Sequence, residues 1–208
     1  MKHFKLRTDL TIEVGEKILY RIEATRDIEK FGVKAGDLGG YVEKEENLSG
    51  NAWVSDLAMV YGNAWVCDTA HVSGDARVYG DTWVCDNALV CDNAQVYGNA
   101  RVSGDASVSG DADVSGDALV SGNAEVYGDK IEKENDLINI TSNADSYNIT
   151  ITPKHIKIGC QYHSKTAWFN FTDDEIIKMD GEKAVNWWKT WKPILKQICD
   201  SFASNEKE

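Results

Sequence analysis

The chain has 208 residues and a net charge of −12, and its acidic excess lies in residues 48–129, where only Arg77 and Arg101 oppose twelve acidic residues. A groove for duplex nucleic acid needs the opposite sign, so that class of ligand is excluded. No stretch approaches the roughly 18 apolar residues of a membrane-spanning helix, so we expect no membrane partner.

The N-terminal residues MKHFKLRTDL lack the apolar segment of a secretory signal, so the sequence predicts a cytoplasmic protein. Its five cysteines include no Cys-x-x-Cys pair and no His/Cys spacing typical of zinc sites. Because cytosolic cysteines are usually reduced, we expect packed free thiols and no metal site.

Residues 48–129 repeat with a period of six. Leu48 opens the series, and a valine stands at every sixth position from Val54 to Val126. An alanine usually lies two residues before the valine, and Gly, Asn or Asp fills the positions between. Valine favours strands, whereas Gly, Asn and Asp tolerate tight turns. The period therefore predicts short strands joined by corners and stacked as a solenoid.

The repeat units SGNAWV, YGNAWV and SGDARV resemble the hexapeptide-repeat superfamily of left-handed parallel β-helices. In that family three hexapeptides form one triangular coil, so residue n lies under residue n+18. The resemblance implies an all-β solenoid, a left-handed parallel β-helix of between four and five coils. Family members commonly form trimers, so we expect a homo-oligomer and favour a trimer.

Residues 1–47 are interpreted as an N-terminal β cap on this helix. The segment ILYRIEATRDI, followed by GDLGGYVEKEENLSGNAWV, resembles the opening of hexapeptide-repeat proteins that are common in phages and prophages. Such proteins are often labelled as transferases. The resemblance implies a phage-type protein that acts in the cytoplasm of a bacterial host cell.

Residues 130–208 depart from the repeat and are predicted to form a small α+β module. The segments DLINIT, YNITIT and HIKIGCQ are predicted strands, with a turn at 143–146. Thr172 and Glu175 form a capping-box pattern, and apolar residues from Glu182 onward follow helical spacing. We expect Pro193 to kink or restart that helix. The segment IKIGCQYHSKTAWFNF resembles the C-terminal module of some phage-type relatives.

Because valine points inward, its two neighbours on each strand point outward. Stacking at n+18 then places large aromatic side chains in outward columns, which a monomer seldom leaves exposed. One interpretation is that another chain, the N-terminal segment or the C-terminal helix covers them. The other is a stacking surface for a planar ligand with arginines for its phosphate. The candidate ligand-binding residues are Tyr61, Tyr79, Tyr97, Trp65, Trp83, Arg77 and Arg101.

The recurring Asn and Asp residues between the valines allow two interpretations. Calcium-binding β-helices have a nine-residue repeat, which this sequence lacks. Asn and Asp side chains also form hydrogen bonds that stabilise turns. We therefore predict that they stabilise the corners of the coil and hold no calcium.

The residues fit several classes of function. We favour a non-enzymatic binding protein without a cofactor, for example a counter-defence sponge that sequesters a cyclic-nucleotide immune signal. The alternative is an acyltransferase that uses acyl-CoA and His71, the only histidine on the coils, as general base. The unbroken period and the scarcity of basic residues on the coils disfavour it. A structural scaffold or protein-binding surface is a further alternative.

A second catalytic candidate lies in the C-terminal module. Cys160 stands between His155 and His163, and a Cys/His pair can form a nucleophile and its base. The segment IKIGC is, however, typical of a buried strand. We therefore disfavour catalysis at this position.

Overall fold

The computed structural model describes residues 2–141 and 147–205, with side chains up to 201, so the turn predicted at 143–146 lies outside the described residues. The chain divides into two compact units, Met1–Asn135 and Asp136–Glu208. Each unit is described below by itself.

The first unit opens with a β hairpin that leads into the solenoid. β1 (Phe4–Val14) pairs antiparallel with β2 (Lys17–Ala24), and β2 pairs antiparallel with β3 (Leu38–Val42). β3 then pairs parallel with the strand Met59–Val60. The N-terminal segment therefore continues one sheet of the solenoid.

Short strands, each centred on a repeat valine up to Val126, form the solenoid. They alternate with corners and return to the same wall after every third strand. In chain order they are β4 (Trp53–Val54), β5 (Met59–Val60), β6 (Trp65–Val66), β7 (His71–Val72), β8 (Arg77–Val78), β9 (Trp83–Val84), β10 (Leu89–Val90), β11 (Gln95–Val96), β12 (Arg101–Val102), β13 (Ser107–Ser109), β14 (Asp113–Val114), β15 (Leu119–Val120), β16 (Glu125–Tyr127) and β17 (Lys130–Ile131).

The register of this stack confirms the spacing that the family resemblance implied. Val54 pairs with Val72, and Val72 with Val90, each 18 residues on in a parallel ladder. Three walls result, with the strand orders β1-β2-β3-β5-β8-β11-β14-β17, β4-β7-β10-β13-β16 and β6-β9-β12-β15. The chain is thus a parallel β-solenoid of about five turns, as predicted.

The core of the solenoid consists of the repeat valines and the alanines that precede them. Val60, Val78 and Val96 are completely buried, as are Ala58 and Ala76. A fully buried aliphatic side chain of this size stabilises the folded state by about 1.5 kcal/mol or more. The repeat therefore stabilises each coil through its small interior side chains.

Side-chain ladders hold the corners together, as the sequence predicted for the Asn and Asp series. In each ladder an asparagine amide donates to the carboxylate of the aspartate 18 residues on, with a length of 2.9 Å. The pairs are Asn63–Asp81, Asn87–Asp105, Asn93–Asp111 and Asn99–Asp117. Consecutive coils are thus joined outside the backbone ladder.

Some corners place aspartate where others place glycine. Asp86 and Asp92 have φ of +61° and +60°, in the left-handed region that Asp tolerates better than most residues. Each carboxylate accepts a 2.9 Å hydrogen bond from a glycine amide one coil on, Gly104 and Gly110 respectively. The aspartates therefore combine the turn with a bond between coils.

The second unit is an antiparallel sheet with helices. Its strands are β18 (Ile138–Ile140), β19 (Ile149–Ile151), β20 (His155–Ile158) and β21 (Gln161–Ser164), paired in chain order. The sheet and the helices α1 (Lys165–Asn170) and α2 (Asp173–Asn205) share a core rich in isoleucine and tryptophan. The predicted α+β character is confirmed.

The ends and the break of α2 show how local sequence directs the helix. Thr172 Oγ1 accepts from the Glu175 amide and the Glu175 carboxylate accepts from the Thr172 amide, so the predicted capping box is present. Of the two outcomes predicted at Pro193, a kink or a restart, the restart does not occur, because the backbone there stays helical. The break lies at Asp180 and Gly181, where Gly181 has φ +72°. Glycine adopts that angle without steric penalty.

Candidate functional site

An exposed aromatic surface of the solenoid lies on the wall formed by β6, β9, β12 and β15. Trp65 and Trp83 face outward there, with 38% and 46% of their surface exposed, and Arg101 follows one coil later. We call Trp65, Trp83 and Arg101 the tryptophan face. Each of these residues directly precedes an inward-facing core valine, so the alternation of side chains along the strand directs it outward.

Contacts within the tryptophan face orient its side chains. The two indole rings meet edge to face at 5.5 Å, and Trp65 Nε1 donates to Ser49 Oγ at 2.9 Å. The guanidinium carbon of Arg101 lies 5.0 Å from the centre of the Trp83 ring. An arginine stacked on an indole keeps its N–H groups available at the edge for an anion. The face therefore combines exposed indole surface with a guanidinium that lies over one of its rings.

Tyr61, Tyr79 and Tyr97 form a second column, which we call the tyrosine ladder. Neighbouring rings are 5.0 Å apart and parallel to within 2°. Each interior ring face is thus occupied by the next tyrosine, so a planar ligand cannot slide between them. Burial raises the pKa of Tyr61 and Tyr79 above the ordinary tyrosine value, and the nearby charge of Arg77 partly opposes this rise in both. The tyrosine ladder is therefore a continuous stack of rings, with Arg77 close to it.

The tyrosine ladder adjoins an open groove of about 880 Å³ beside the β1–β2 hairpin. Tyr20 and Tyr61 line it together with Lys17 and Glu43. Lys17 and Glu43 form an ion pair of 2.6 Å, and Glu43 also accepts from the Gly62 amide at 2.6 Å. The cation in this groove is therefore already paired.

The structure divides the predicted ligand-binding residues between two walls. Arg77 and the strands beside the tyrosine ladder belong to the wall that contains β5, β8 and β11. Trp65, Trp83 and Arg101 belong to the wall that contains β6, β9 and β12. The residues therefore form two neighbouring surfaces.

The N-terminal segment covers part of the third wall, at Trp53 and His71, two residues whose position directly before a core valine predicts an outward direction. Trp53 is only 2% exposed, because the cap packs onto it so closely that a Cβ on Gly39 would lie 2.8 Å from its ring. The ring of Phe31 lies 4.7 Å from that of His71. Of the coverings considered for the aromatics, the N-terminal segment accounts for these two residues.

His71, the candidate general base, is held within this covered wall. Its Nε2 lies 2.9 Å from Ser55 Oγ, one coil earlier. Burial lowers the pKa of His71 below its ordinary value of 6.5, Lys30 lowers it further, and Asp56 partly opposes them. The imidazole is therefore neutral at pH 7, and its ring face is occupied by Phe31.

The Cys/His cluster of the second unit is dispersed around β20 and β21. His163 packs edge-on against Trp168 and Phe171, at 5.3 and 5.0 Å. His155 stacks on Tyr162 at 4.7 Å, and Cys160 lies exposed in the turn between the strands. Both histidines are thus in ring contacts that account for their placement.

Two cysteines correct the expectation of free thiols. Cys67 and Cys85, 18 residues apart on neighbouring coils of the tryptophan face's wall, form a disulfide with a Cα–Cα distance of 4.7 Å. Cys91, Cys160 and Cys199 are free. Asp68 brings a carboxylate within 4.8 Å of both sulfur atoms, but the disulfide engages both sulfurs. Their 18-residue spacing was the pattern in the sequence that pointed to the pairing.

Comparison with known proteins agrees with the architecture. Residues 70–86 and 94–111 match the family model described as YdcK Beta solenoid repeat. No curated protein matches the chain. Within the part of the chain that the structure describes, none of the helices combines the length and apolar character needed to cross a membrane. The matched repeat and the n+18 register together identify the chain as a β-solenoid repeat protein.

Proposed function

We propose that the protein is a non-enzymatic binding protein and that the tryptophan face is its recognition surface. The observation that carries the proposal is the exposure of Trp83 together with the stacking of Arg101 on its ring. An exposed indole loses unfavourable contact with water when a planar group covers it. The neighbouring guanidinium adds a fixed donor for an anion.

The chemical class that fits this pair is a ligand with an aromatic base and a phosphate. Stacking of a base on an aromatic side chain contributes about 1–3 kcal/mol. The phosphate would accept from Arg101 at the edge of the face. Because the coils around it are acidic, a compact ligand with few charges is favoured over a nucleic-acid strand.

Within this class we propose a cyclic nucleotide, which a phage-type protein would sequester as a counter-defence sponge. The support is the resemblance of the N-terminal segment to phage and prophage proteins, together with the aromatic and arginine chemistry. Such a role needs affinity but no general base. A homo-oligomer, with a trimer favoured, would enclose the ligand by bringing a second copy onto the same face.

The environment of His71 supports binding over acyl transfer. A general base must lie within hydrogen-bond reach of the proton that it removes from the substrate. Phe31 lies over the His71 ring and Ser55 occupies its Nε2. Both contacts would have to open before an acceptor substrate reached the imidazole.

A ligand screen tests the proposal. The purified chain is incubated with cyclic di- and trinucleotides and with acyl-CoAs, and bound species are identified by thermal shift and native mass spectrometry. We expect a nucleotide complex whose ligand is recovered intact after heating. Trp83→Ala and Arg101→Ala should lose it, while Leu57→Ala, at a side chain 54% exposed on another part of the coil, should retain it. Turnover of acyl-CoA that disappears in His71→Ala would refute the proposal.

A further inference from the structure

The second unit contains a cavity that is separate from the solenoid and its recognition surface. It is partly open, and its accessible volume is about 40 Å³. That exceeds the about 10–15 Å³ that one water needs but is far below the about 300–1,000 Å³ of drug-sized ligand sites, so only a small group fits. Its lining includes the aromatic residues Tyr147, Trp168, Trp187 and Trp188, together with Met179 and Asp180.

The aromatic rings meet at steep angles and form corners of a cage. The rings of Tyr147 and Trp187 are perpendicular, at 89°, with centres 4.9 Å apart. Trp168 and Trp188 lie 5.3 Å apart at 43°. All four rings line the cavity, and the π faces of aromatic rings attract organic cations.

The break in α2 brings a carboxylate to the same cavity. Non-helical backbone angles at Asp180 and Gly181 interrupt the helix, and Asp180 accepts a 2.5 Å hydrogen bond from the Tyr147 hydroxyl. That bond and the 3.0 Å ion pair with Lys183 lower the pKa of Asp180, so its carboxylate is ionised at neutral pH. Burial, with the bond to Asp180, raises the pKa of Tyr147 to about 12. The cavity therefore carries negative charge beside its aromatic rings.

One polar atom of the lining residues has no partner. Trp188 is only 3% exposed, and among the described residues its indole nitrogen has no hydrogen-bond acceptor. A buried donor without an acceptor has lost its hydrogen bonds to water without compensation. A bound molecule that presents an oxygen to this N–H would remove that penalty.

We propose that this cavity binds a small alkylammonium compound that carries a hydroxyl or carbonyl oxygen. The ammonium group contacts the rings of Tyr147 and Trp187 and the Asp180 carboxylate. The oxygen accepts from the Trp188 indole N–H. Three separate features are thereby explained together: the perpendicular rings, the helix break that positions Asp180, and the unpaired donor.

The test compares choline with 3,3-dimethylbutan-1-ol, its neutral isostere of the same shape, by titration calorimetry on the full chain. Choline should bind saturably and about tenfold or more tighter than the isostere, because only choline carries the charge. Equal affinities for the two compounds, or no binding of choline, would overturn the proposal.

Variants distinguish the contribution of the Asp180 carboxylate to binding from that of the aromatic rings. Asp180→Asn should weaken choline binding about tenfold, whereas Asp173→Asn, which removes the ion-pair partner of Lys189 on the same helix, should leave it unchanged. Lys183→Ala removes a competing cation and should strengthen binding. Trp187→Leu keeps an apolar side chain but removes the aromatic ring, and it should weaken choline binding. This variant tests the role of the rings even if Asp180→Asn unfolds. Unchanged affinity in both Asp180→Asn and Trp187→Leu would contradict the assignment.

Discussion

Arg101 lies one coil beyond Trp83, with its guanidinium carbon 5.0 Å from the centre of the indole ring. The two residues are partners in the parallel ladder between β12 and β9, so the backbone register itself brings them together. A cation on an exposed indole contributes about 0.5–1 kcal/mol. The contact is therefore weak enough to be adjusted by a ligand, yet it orients the arginine beforehand.

This relationship predicts an energetic coupling between the two side chains. A double-mutant cycle of Trp83→Ala and Arg101→Ala, measured by urea unfolding, should give a coupling free energy of about 0.5–1 kcal/mol. The same cycle with Trp65 and Arg101, which lie two coils apart, should give a value near zero. Equal coupling in both cycles would show that the ring contact is not the cause.

The close stacking of corners predicts that two glycines with similar backbone angles differ in their tolerance of a side chain. Gly98 has φ +73°, and a Cβ there would lie 2.9 Å from the Gly116 amide nitrogen. Gly128 has φ +68° but nothing within 4 Å. Gly128→Ala should cost about 1–2 kcal/mol from the left-handed conformation alone. Gly98→Ala should lower the free energy of unfolding further, and equal losses would contradict the packing at this corner.

His71 predicts a pH dependence with a defined direction. Because burial lowers its pKa in the folded state below 6.5, protonation favours the unfolded chain. Its stabilising contribution is complete above pH 6.5 and declines as the pH falls below that value. NMR titration should give a His71 pKa below 6.5, and Phe31→Ala should raise it by exposing the ring. Lys34→Ala, at a lysine paired with Asp27, should leave it unchanged.

The disulfide predicts which cysteines react with an alkylating agent. Without reductant, the unfolded chain should be labelled at Cys91, Cys160 and Cys199, and peptides containing Cys67 and Cys85 should be recovered as a linked pair. Reduction of the disulfide before alkylation should add labels at Cys67 and Cys85. Cys67→Ser should also lower the free energy of unfolding by about 3 kcal/mol, because it frees a loop of the unfolded chain. Labelling of all five cysteines without reductant would refute the pairing.

Much of the solenoid could be predicted from the period of six. The uninterrupted series of valines predicts short strands and corners of equal length, and the family resemblance adds that three of them make one coil, which pairs Trp65 with Trp83. The repeat gave no information on contacts made by residues outside it. Phe31 covers His71 from a segment without the repeat, and no spacing within the coils indicated that contact.

Two other differences have separate physical causes. Cys67 and Cys85 are 18 residues apart and therefore neighbours on successive coils, whereas the expected cytoplasmic environment predicted reduced thiols. In α2, a kink or restart was predicted at Pro193 because proline lacks an amide hydrogen, whereas the helix breaks at Gly181, where the backbone adopts a left-handed angle. The cage around Trp188 combines residues from β strands and helices, and no single local pattern unites them.

The central claim is that the tryptophan face, rather than the tyrosine ladder, recognises the ligand. Titration calorimetry with the cyclic nucleotide that stabilises the unmodified chain most strongly compares Trp83→Ala with Tyr79→Ala. Loss of one stacking contact of about 1–3 kcal/mol should weaken binding to Trp83→Ala by about tenfold or more, with Tyr79→Ala close to the unmodified chain. Affinity that is unchanged in Trp83→Ala and lost in Tyr79→Ala would contradict the claim.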